Sequence, residues 1–287
     1  MSNQTNAHAQ QIKSEILSIE PVGEYFHIVF SAPTIAEHVE PGHFVAVAVG
    51  GTGSGMLLRR AFSIHNVTPG HSIEAIVSPA GQGTEWLTHV SAGQVVDIIA
   101  PLGKPFMLPT KPVGCVLVAG GYGAAPMGML ARELKSRGCE VEVILGAATQ
   151  GKLYGVLDMK RDADNVTVTT DDGSSGFRGR VTDVLPEAIA RIDGKAVYAC
   201  GPMPMLQAVT EVSQAHGAFA QTAVEESMAC GIGVCMTCVL PVIGDDGVTR
   251  MVRSCVEGPC FRGDRVRWND VHTVPADALG APVPGGH

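Results

Sequence analysis

Four cysteines carry the clearest chemistry in this chain. Cys230, Cys235 and Cys238 share the run Met228-Ala-Cys-Gly-Ile-Gly-Val-Cys-Met-Thr-Cys-Val239, and Cys255 follows after sixteen further residues. A C-x4-C-x2-C spacing completed by a more distant thiolate is one by which proteins hold a 2Fe–2S cluster. Gly231 and Gly233 would let the backbone wrap a bulky inorganic core and aim amides at its sulfurs. Cys235-x-x-Cys238 is also half of a zinc ribbon, but a ribbon supplies a second close pair. Here the other thiols stand five residues upstream and seventeen downstream. The expected centre is therefore iron–sulfur, and its chemistry is single-electron transfer. Cys260 competes with Cys255 as the fourth ligand. Cys255 is preferred because it follows the strand-like Val248–Arg253, whereas Cys260 follows Gly258-Pro259. Cys115, Cys139 and Cys200 read as small core residues.

A one-electron centre needs a source of electrons, and four upstream stretches suggest one. In Leu58-Arg-Arg-Ala-Phe-Ser-Ile64, Arg60 could reach a pyrophosphate with its planar fork of donors while Ser63 lies further along the same ligand. A serine hydroxyl both gives and accepts a hydrogen bond, as a flavin N5 requires. The same arginine pair could equally be a solvated strand edge. Pro79-Ala-Gly-Gln-Gly-Thr84 reads either as a hairpin turn or as an anion-binding helix entry. Val118-Ala-Gly-Gly-Tyr-Gly-Ala-Ala-Pro126 and Cys200-Gly-Pro-Met-Pro-Met-Leu206 each join a strand to a helix, either as tight turns or as nucleotide contacts at the strand ends. Neither is the G-x-G-x-x-G dinucleotide fingerprint.

Three kinds of segment position these residues. Short β-like runs at Ile12–Ile19, Tyr25–Phe30, Phe44–Val49, Ser72–Val77 and Val95–Ile99, punctuated by Gly and Pro, predict an antiparallel β-barrel over 12–109, with one short helix over 84–90. Apolar runs at Val113–Ala119, Val141–Leu145, Val166–Thr170 and Ala196–Ala199 alternate with helical patterns near Pro126–Arg137, Val181–Arg191 and Pro204–His216. That alternation predicts a doubly wound, parallel-sheet α/β domain over 110–224. A Cys- and Gly-rich module over 225–268 carries the cysteines and a hairpin turning at Gly244-Asp-Asp-Gly247. Residues 1–11 and 269–287 read as loose tails.

The chain has 287 residues, 45% hydrophobic and 17% charged, with a net charge of −8, which argues against nucleic acid or an anionic membrane as the main partner. It shows no membrane-length apolar stretch and no signal-peptide pattern at its start. Its eight cysteines then suggest redox or metal chemistry in a reducing cytoplasm.

Taken together, Arg60-x-Phe-Ser63, Gly120-Gly-x-Gly-x-x-Pro126 and Cys200-Gly-Pro-x-x-Met205 resemble the motifs of the ferredoxin–NADP reductase superfamily. With Gly83-Thr84-Glu85-Trp86-Leu87, Glu226-x-Met-x-Cys-Gly-Ile-Gly-x-Cys and Cys255-Val-Glu-Gly-Pro259, the chain from 12 to 268 resembles the electron-transfer subunits of NAD-dependent dihydroorotate dehydrogenases. The resemblance implies FAD contacts at Arg60, Ala61, Phe62, Ser63, Ile76, Val77, Ser78, Gly83 and Thr84. It implies NAD contacts at Gly120, Gly121, Gly123, Pro126, Cys200, Gly201, Pro202 and Met203, and cluster ligation by Cys230, Cys235, Cys238 and Cys255. It also implies a partner, an FMN-containing catalytic subunit, in a heterotetramer of two copies each, serving pyrimidine biosynthesis. Ala61-Phe62 departs from the Pro-Ile usual in close relatives. The absence of an Arg/Lys cluster near 145–152 or 200–205, with Asp171-Asp172 nearby, favours NAD over NADP. The alternative is the small flavoprotein of an NADH-dependent ferredoxin–NADP reductase or a sulfide-dehydrogenase-like complex.

Overall fold

The structure, a computed structural model, describes residues 8–51 and 53–282. Six strands come first: β1 (Gln10–Val22), β2 (Tyr25–Ser31), β3 (Phe44–Val47), β4 (Arg60–Thr68), β5 (Ser72–Val77) and β6 (Val95–Leu102). They close into an antiparallel barrel in the order β1-β2-β5-β4-β3-β6. Alternation sets its inside: Ile28, Phe30, Ile64, Ile73, Ala75, Val77 and Ile98 are fully buried, while intervening residues face outward. Two short helices, α1 (Pro33–Ala36) and α2 (Gln82–Thr88), complete it. The expected barrel is present, with β4 as the strand that the apolar runs had not revealed.

The α/β domain contains β7 (Gly114–Gly120), α3 (Met127–Ser136), β8 (Glu140–Ala147), α4 (Val156–Asp162), β9 (Asn165–Thr170), β10 (Phe177–Arg178), α5 (Val181–Arg191), β11 (Gly194–Cys200), α6 (Met203–Ala215) and β12 (Phe219–Ala223). Its sheet is doubly wound because the strands are apolar on both faces. Cys115, Leu117 and Ala119 pack against α3 and α4, whereas Val116 and Val118 pack against α5 and α6. From β7 the order runs through β8 and β9 on one side and through β11 and β12 on the other. The switch point where open sheets bind ligands therefore lies between β7 and β11.

The Cys-rich region folds as a hairpin of β13 (Val239–Ile243) and β14 (Thr249–Arg253), then α7 (Ser254–Glu257) and β15 (Cys260–Arg262). β15 pairs antiparallel with β12, so this region contributes the last strand of the nucleotide-domain sheet. The tails differ from expectation where they are described. Gln10 and Gln11 already belong to β1, and the rest of 1–11 below residue 8 lies outside the described residues. Beyond 268, Ala278 is buried and the Leu279 amide donates to Thr249 O at 2.8 Å. Arg267 draws this segment in by pairing with both Asp270 and Asp277 at 2.7 and 2.6 Å. The expected tail is anchored as far as Leu279. Among the described residues no helix is long and apolar enough to cross a membrane.

Candidate functional site

The three regions meet at one cavity of about 330 Å³. The barrel contributes Phe44, Ala61, Phe62, Ser63 and Ile76. Tyr122, Gly123, Ala125 and Cys200 come from the switch point, and Met228 and Pro259 from the Cys-rich region. Ser63 is held opposite Phe44 by the β3–β4 ladder, which fixes its place in the wall. Nearby, Arg60 opens β4 and lies flat against Gly83. A Cβ at Gly83 would stand 2.8 Å from the guanidinium Nε and Nη2, so a side chain there would push Arg60 out of this position. Thr84 organises the same loop: its hydroxyl accepts from the Ala80 and Gly81 amides at 2.9 and 3.1 Å and donates to Gly81 O at 2.9 Å. A guanidinium beside a glycine loop, next to an apolar cavity edged by a hydroxyl, fits a flavin dinucleotide: a doubly charged pyrophosphate at one end and a flat ring at the other.

A second cavity of about 600 Å³ opens at the carboxyl ends of β7, β8, β9 and β11. Gly120, Gly121 and Pro202 line it as the sequence suggested, and Ser78 joins them from the barrel. The glycines at the switch point serve more than ligand approach. A Cβ on Gly123 would lie 2.4 Å from Cys200 O, and one on Gly120 would meet Met205 Sδ at 2.8 Å. The two strand-to-helix turns therefore pack backbone against backbone.

Several expected contacts are not in these walls. Val77 points into the barrel core, Pro126 sits at the head of α3, and Met203 packs with the α5–α6 core. Arg60, Gly83, Thr84 and Gly201 line neither cavity. Met205, not Met203, faces the larger cavity. Asp171, which the sequence had singled out in favour of NAD, lines the larger cavity; sequence reasoning missed Lys152 and Arg180 beside it, and Tyr122 and Glu225, which line both. The Tyr122 hydroxyl donates to Glu225, and burial pushes the phenol up to about 12. Part of Glu225 reaches solvent, yet its carboxyl stands in the cavity walls, where burial raises it above the usual carboxylate range and the Tyr122 bond partly offsets this. No local pattern marks this pair, because each partner lies on a different strand end.

The cysteines sit against the barrel, where Phe44, Ala46 and Leu102 pack on the buried Cys238 and Cys255. Gly231 and Gly233 adopt φ of +72° and +82°, turning the loop as only glycine does readily. Cys230 and Cys235 are hydrogen-bonded to each other, and so are Cys238 and Cys255. The Val234 amide donates to Cys230 Sγ at 3.4 Å. Bonds from Thr237 and then Cys230 hold the Cys235 thiol down at about 6, and the bond from Cys255 holds Cys238 down at about 5. The Cys238 bond and burial push the Cys255 thiol up, so Cys235 and Cys238 are the members disposed to ionise first. A single tetrahedral ion would need four sulfurs within roughly 3.8 Å of one another. Among the described residues the cysteines form no group of three whose ligand atoms lie within 4.8 Å. Two close pairs, one per iron, suit a two-iron cluster instead. Cys260 is turned away on β15, with its sulfur 3.9 Å from Gly42 O.

Comparison with known proteins agrees with this arrangement. The family described as the iron-sulfur cluster binding domain of dihydroorotate dehydrogenase B matches residues 225–267, and the oxidoreductase NAD-binding domain matches residues 117–211. The chain is 36% identical over 245 residues to the dihydroorotate dehydrogenase B (NAD(+)) electron transfer subunit of Geobacillus thermodenitrificans, covering 84% of this chain and 92% of the relative. It is 34% identical over 268 residues to the protein of that name from Enterococcus faecalis, covering 89% of this chain and 99% of the relative. Among solved structures, an NADH-dependent reduced ferredoxin–NADP oxidoreductase superposes with a TM-score of 0.79 at 27% identity, covering 91% of this chain and 92% of that one. The ferredoxin reductase of carbazole 1,9a-dioxygenase shares the fold, with a TM-score of 0.62 at 19% identity over 73% of this chain and 67% of that one.

Proposed function

The chain belongs to the family of dihydroorotate dehydrogenase B electron transfer subunits, and we propose that it carries electrons between NAD(H) and the FMN of a separate catalytic subunit that oxidises dihydroorotate to orotate. The observation that carries this reading is the single cavity walled by the barrel, the nucleotide domain and the cysteine region together. In the family's biological direction the net flow runs from dihydroorotate to NAD, as a step of pyrimidine biosynthesis in the cytoplasm. Two copies of each subunit form the proposed assembly.

When bound, FAD exchanges a hydride on one side and single electrons on the other, and a 2Fe–2S cluster exchanges single electrons only. Arg60, with the loop at Gly83 and Thr84, binds the FAD pyrophosphate. Ala61, Phe62 and Ile76 bury the flavin ring, the backbone of Val77 and Ser78 extends that wall, and the Ser63 hydroxyl gives or accepts the hydrogen bond at N5. Gly120, Gly121 and Pro202 orient the nicotinamide nucleotide, while Gly123, Cys200 and Gly201 hold the two turns together beneath it. Asp171 suits the ribose hydroxyls of NAD and repels a 2′-phosphate, with Lys152 and Arg180 available to the nucleotide's own phosphates. Cys230, Cys235, Cys238 and Cys255 hold the cluster.

Cys235→Ser tests the order of transfer. Anaerobic NADH titration of the variant should still bleach the FAD, while NADH-driven reduction of the partner's FMN falls at least about 100-fold, a loss of roughly 2.7 kcal/mol of barrier lowering. Delivery that survives in a variant lacking the cluster signal would remove the cysteines from the path. A second reading, the small flavoprotein of an NADH-dependent ferredoxin–NADP oxidoreductase, is favoured by the fold likeness at a TM-score of 0.79. Copurification with an FMN-containing subunit that oxidises dihydroorotate separates the two.

A further inference from the structure

On the outer wall of the barrel, His27, His65 and Glu74 converge from three neighbouring strands. β2 and β5 pair His27 with Ile76 and Val29 with Glu74, so His27 and Glu74 are diagonal neighbours on one face. The β4–β5 register passes from Ile64↔Ala75 to Asn66↔Glu74, leaving His65 as the extra residue of a bulge that re-aims its side chain. One ligand atom from each of the three residues lies within 4.8 Å of the other two, a grouping unique among the described residues.

The surroundings orient each group as outer partners orient metal ligands. His65 Nδ1 lies 2.6 Å from Ala125 O; a carbonyl can only accept, so Nδ1 carries the proton and Nε2 keeps its lone pair. Glu74 Oε1 accepts from Asn66 Nδ2 at 3.1 Å, leaving Oε2 toward His27 Nε2 at 2.8 Å. Asn66 is in turn fixed by Arg132 Nη2 at 2.7 Å, and Arg132 is itself committed to Asp162 at 2.6 Å. The Tyr154 hydroxyl stands 3.2 Å from His65 Nε2, facing the remaining direction.

We propose that this is a binding site for a divalent first-row transition cation, Zn2+ being the expected occupant. His27 Nε2, His65 Nε2 and a Glu74 carboxylate oxygen are the ligands, and Tyr154 faces the fourth position. Two imidazoles and a carboxylate suit such an ion, whose bonds of roughly 2.0–2.2 Å draw the three side chains inward. On binding, the ion replaces both the His27–Glu74 hydrogen bond and the one that the Tyr154 hydroxyl donates to His65 Nε2, and His27 carries its proton on Nδ1. The barrel supplies all three ligands, whereas Tyr154 and Ala125 belong to the nucleotide domain. A bound ion therefore bolts the flavin-binding barrel to the nucleotide domain, apart from both cavities and from the cysteines.

The test uses the full chain with FAD and cluster in place, so that iron occupies the cysteines. After dialysis against micromolar Zn2+, metal analysis should find one zinc per chain beyond the iron. Retention should fall at least about ten-fold in Glu74→Gln and in His65→Gln with iron and FAD unchanged. Zn2+ should also raise the wild-type Tm by several degrees, reversibly with a chelator. Zinc retention equal in wild type and variants, retention that rises only as iron is lost, or an unchanged wild-type Tm would each overturn the proposal. Should the variants fail to fold, the wild-type stoichiometry and Tm shift decide it alone.

Discussion

At the scale of single residues, glycines do the most specific work. At Gly83 the missing side chain lets the loop lie against the Arg60 guanidinium, where a Cβ would intrude to 2.8 Å. Gly83→Ala should displace Arg60 and weaken FAD binding at least about ten-fold, roughly 1.4 kcal/mol. Fluorescence of flavin released on dilution measures this, and wild-type retention in the variant would show that Arg60 does not need this contact. At Gly123 the intrusion would be into Cys200 O, a main-chain atom with no freedom to move aside. The sequence marks both glycines, but it reads them alike as room for a ligand. Only the fold shows that Gly123 makes room for the neighbouring turn.

At the scale of elements, strands that are apolar on both faces or cleanly alternating were legible, and so were α3, α5 and α6. Those not recognised share a physical cause. β4 opens on a charged residue, Arg60, and is interrupted by the bulge at His65 before the polar Asn66, so it lacks a simple apolar rhythm, while β12 and β15 are short and hold Gln221 and Arg262. α4 is only seven residues long. The cysteine site was legible because three of its members lie within nine residues, whereas Tyr122 and Glu225 are joined only by sheet topology. The entry to β3 also carries a pH dependence. The Glu40 amide donates to His43 Nδ1 at 2.9 Å, and burial holds this imidazole down at about 4 from its usual 6.5. The unfolded chain takes up a proton in that window that the folded chain refuses, so stability is full above pH 6.5 and is lost as pH falls toward 4. The loss attributable to His43 is on the order of 3 kcal/mol. His65, lowered mainly by burial, adds in the same direction. Denaturant melts across this window should show a shallower pH slope for His43→Asn, whose side-chain oxygen keeps the acceptor; an unchanged slope would assign the acid loss elsewhere.

At the scale of the whole molecule, the cysteine region is woven into the nucleotide domain by β15, which pairs Phe261 with Thr222 and Cys260 with Ala223. Ending the chain at residue 224 would bare the edge of β12, and an uncovered edge invites pairing between molecules. The truncated chain should aggregate under conditions where full-length Cys235→Ser stays monodisperse in light scattering; a soluble truncation with intact NADH-to-dye activity would mean that the sheet is complete without β15. The same pairing sets an order of events during synthesis. Domains fold as they leave the ribosome, N-terminal parts first. β12 must wait for residues 260–262 to clear the exit tunnel, by which point all four cysteines at 230–255 have already been made. The nascent chain thus acquires its metal-binding thiols before it can seal its nucleotide sheet.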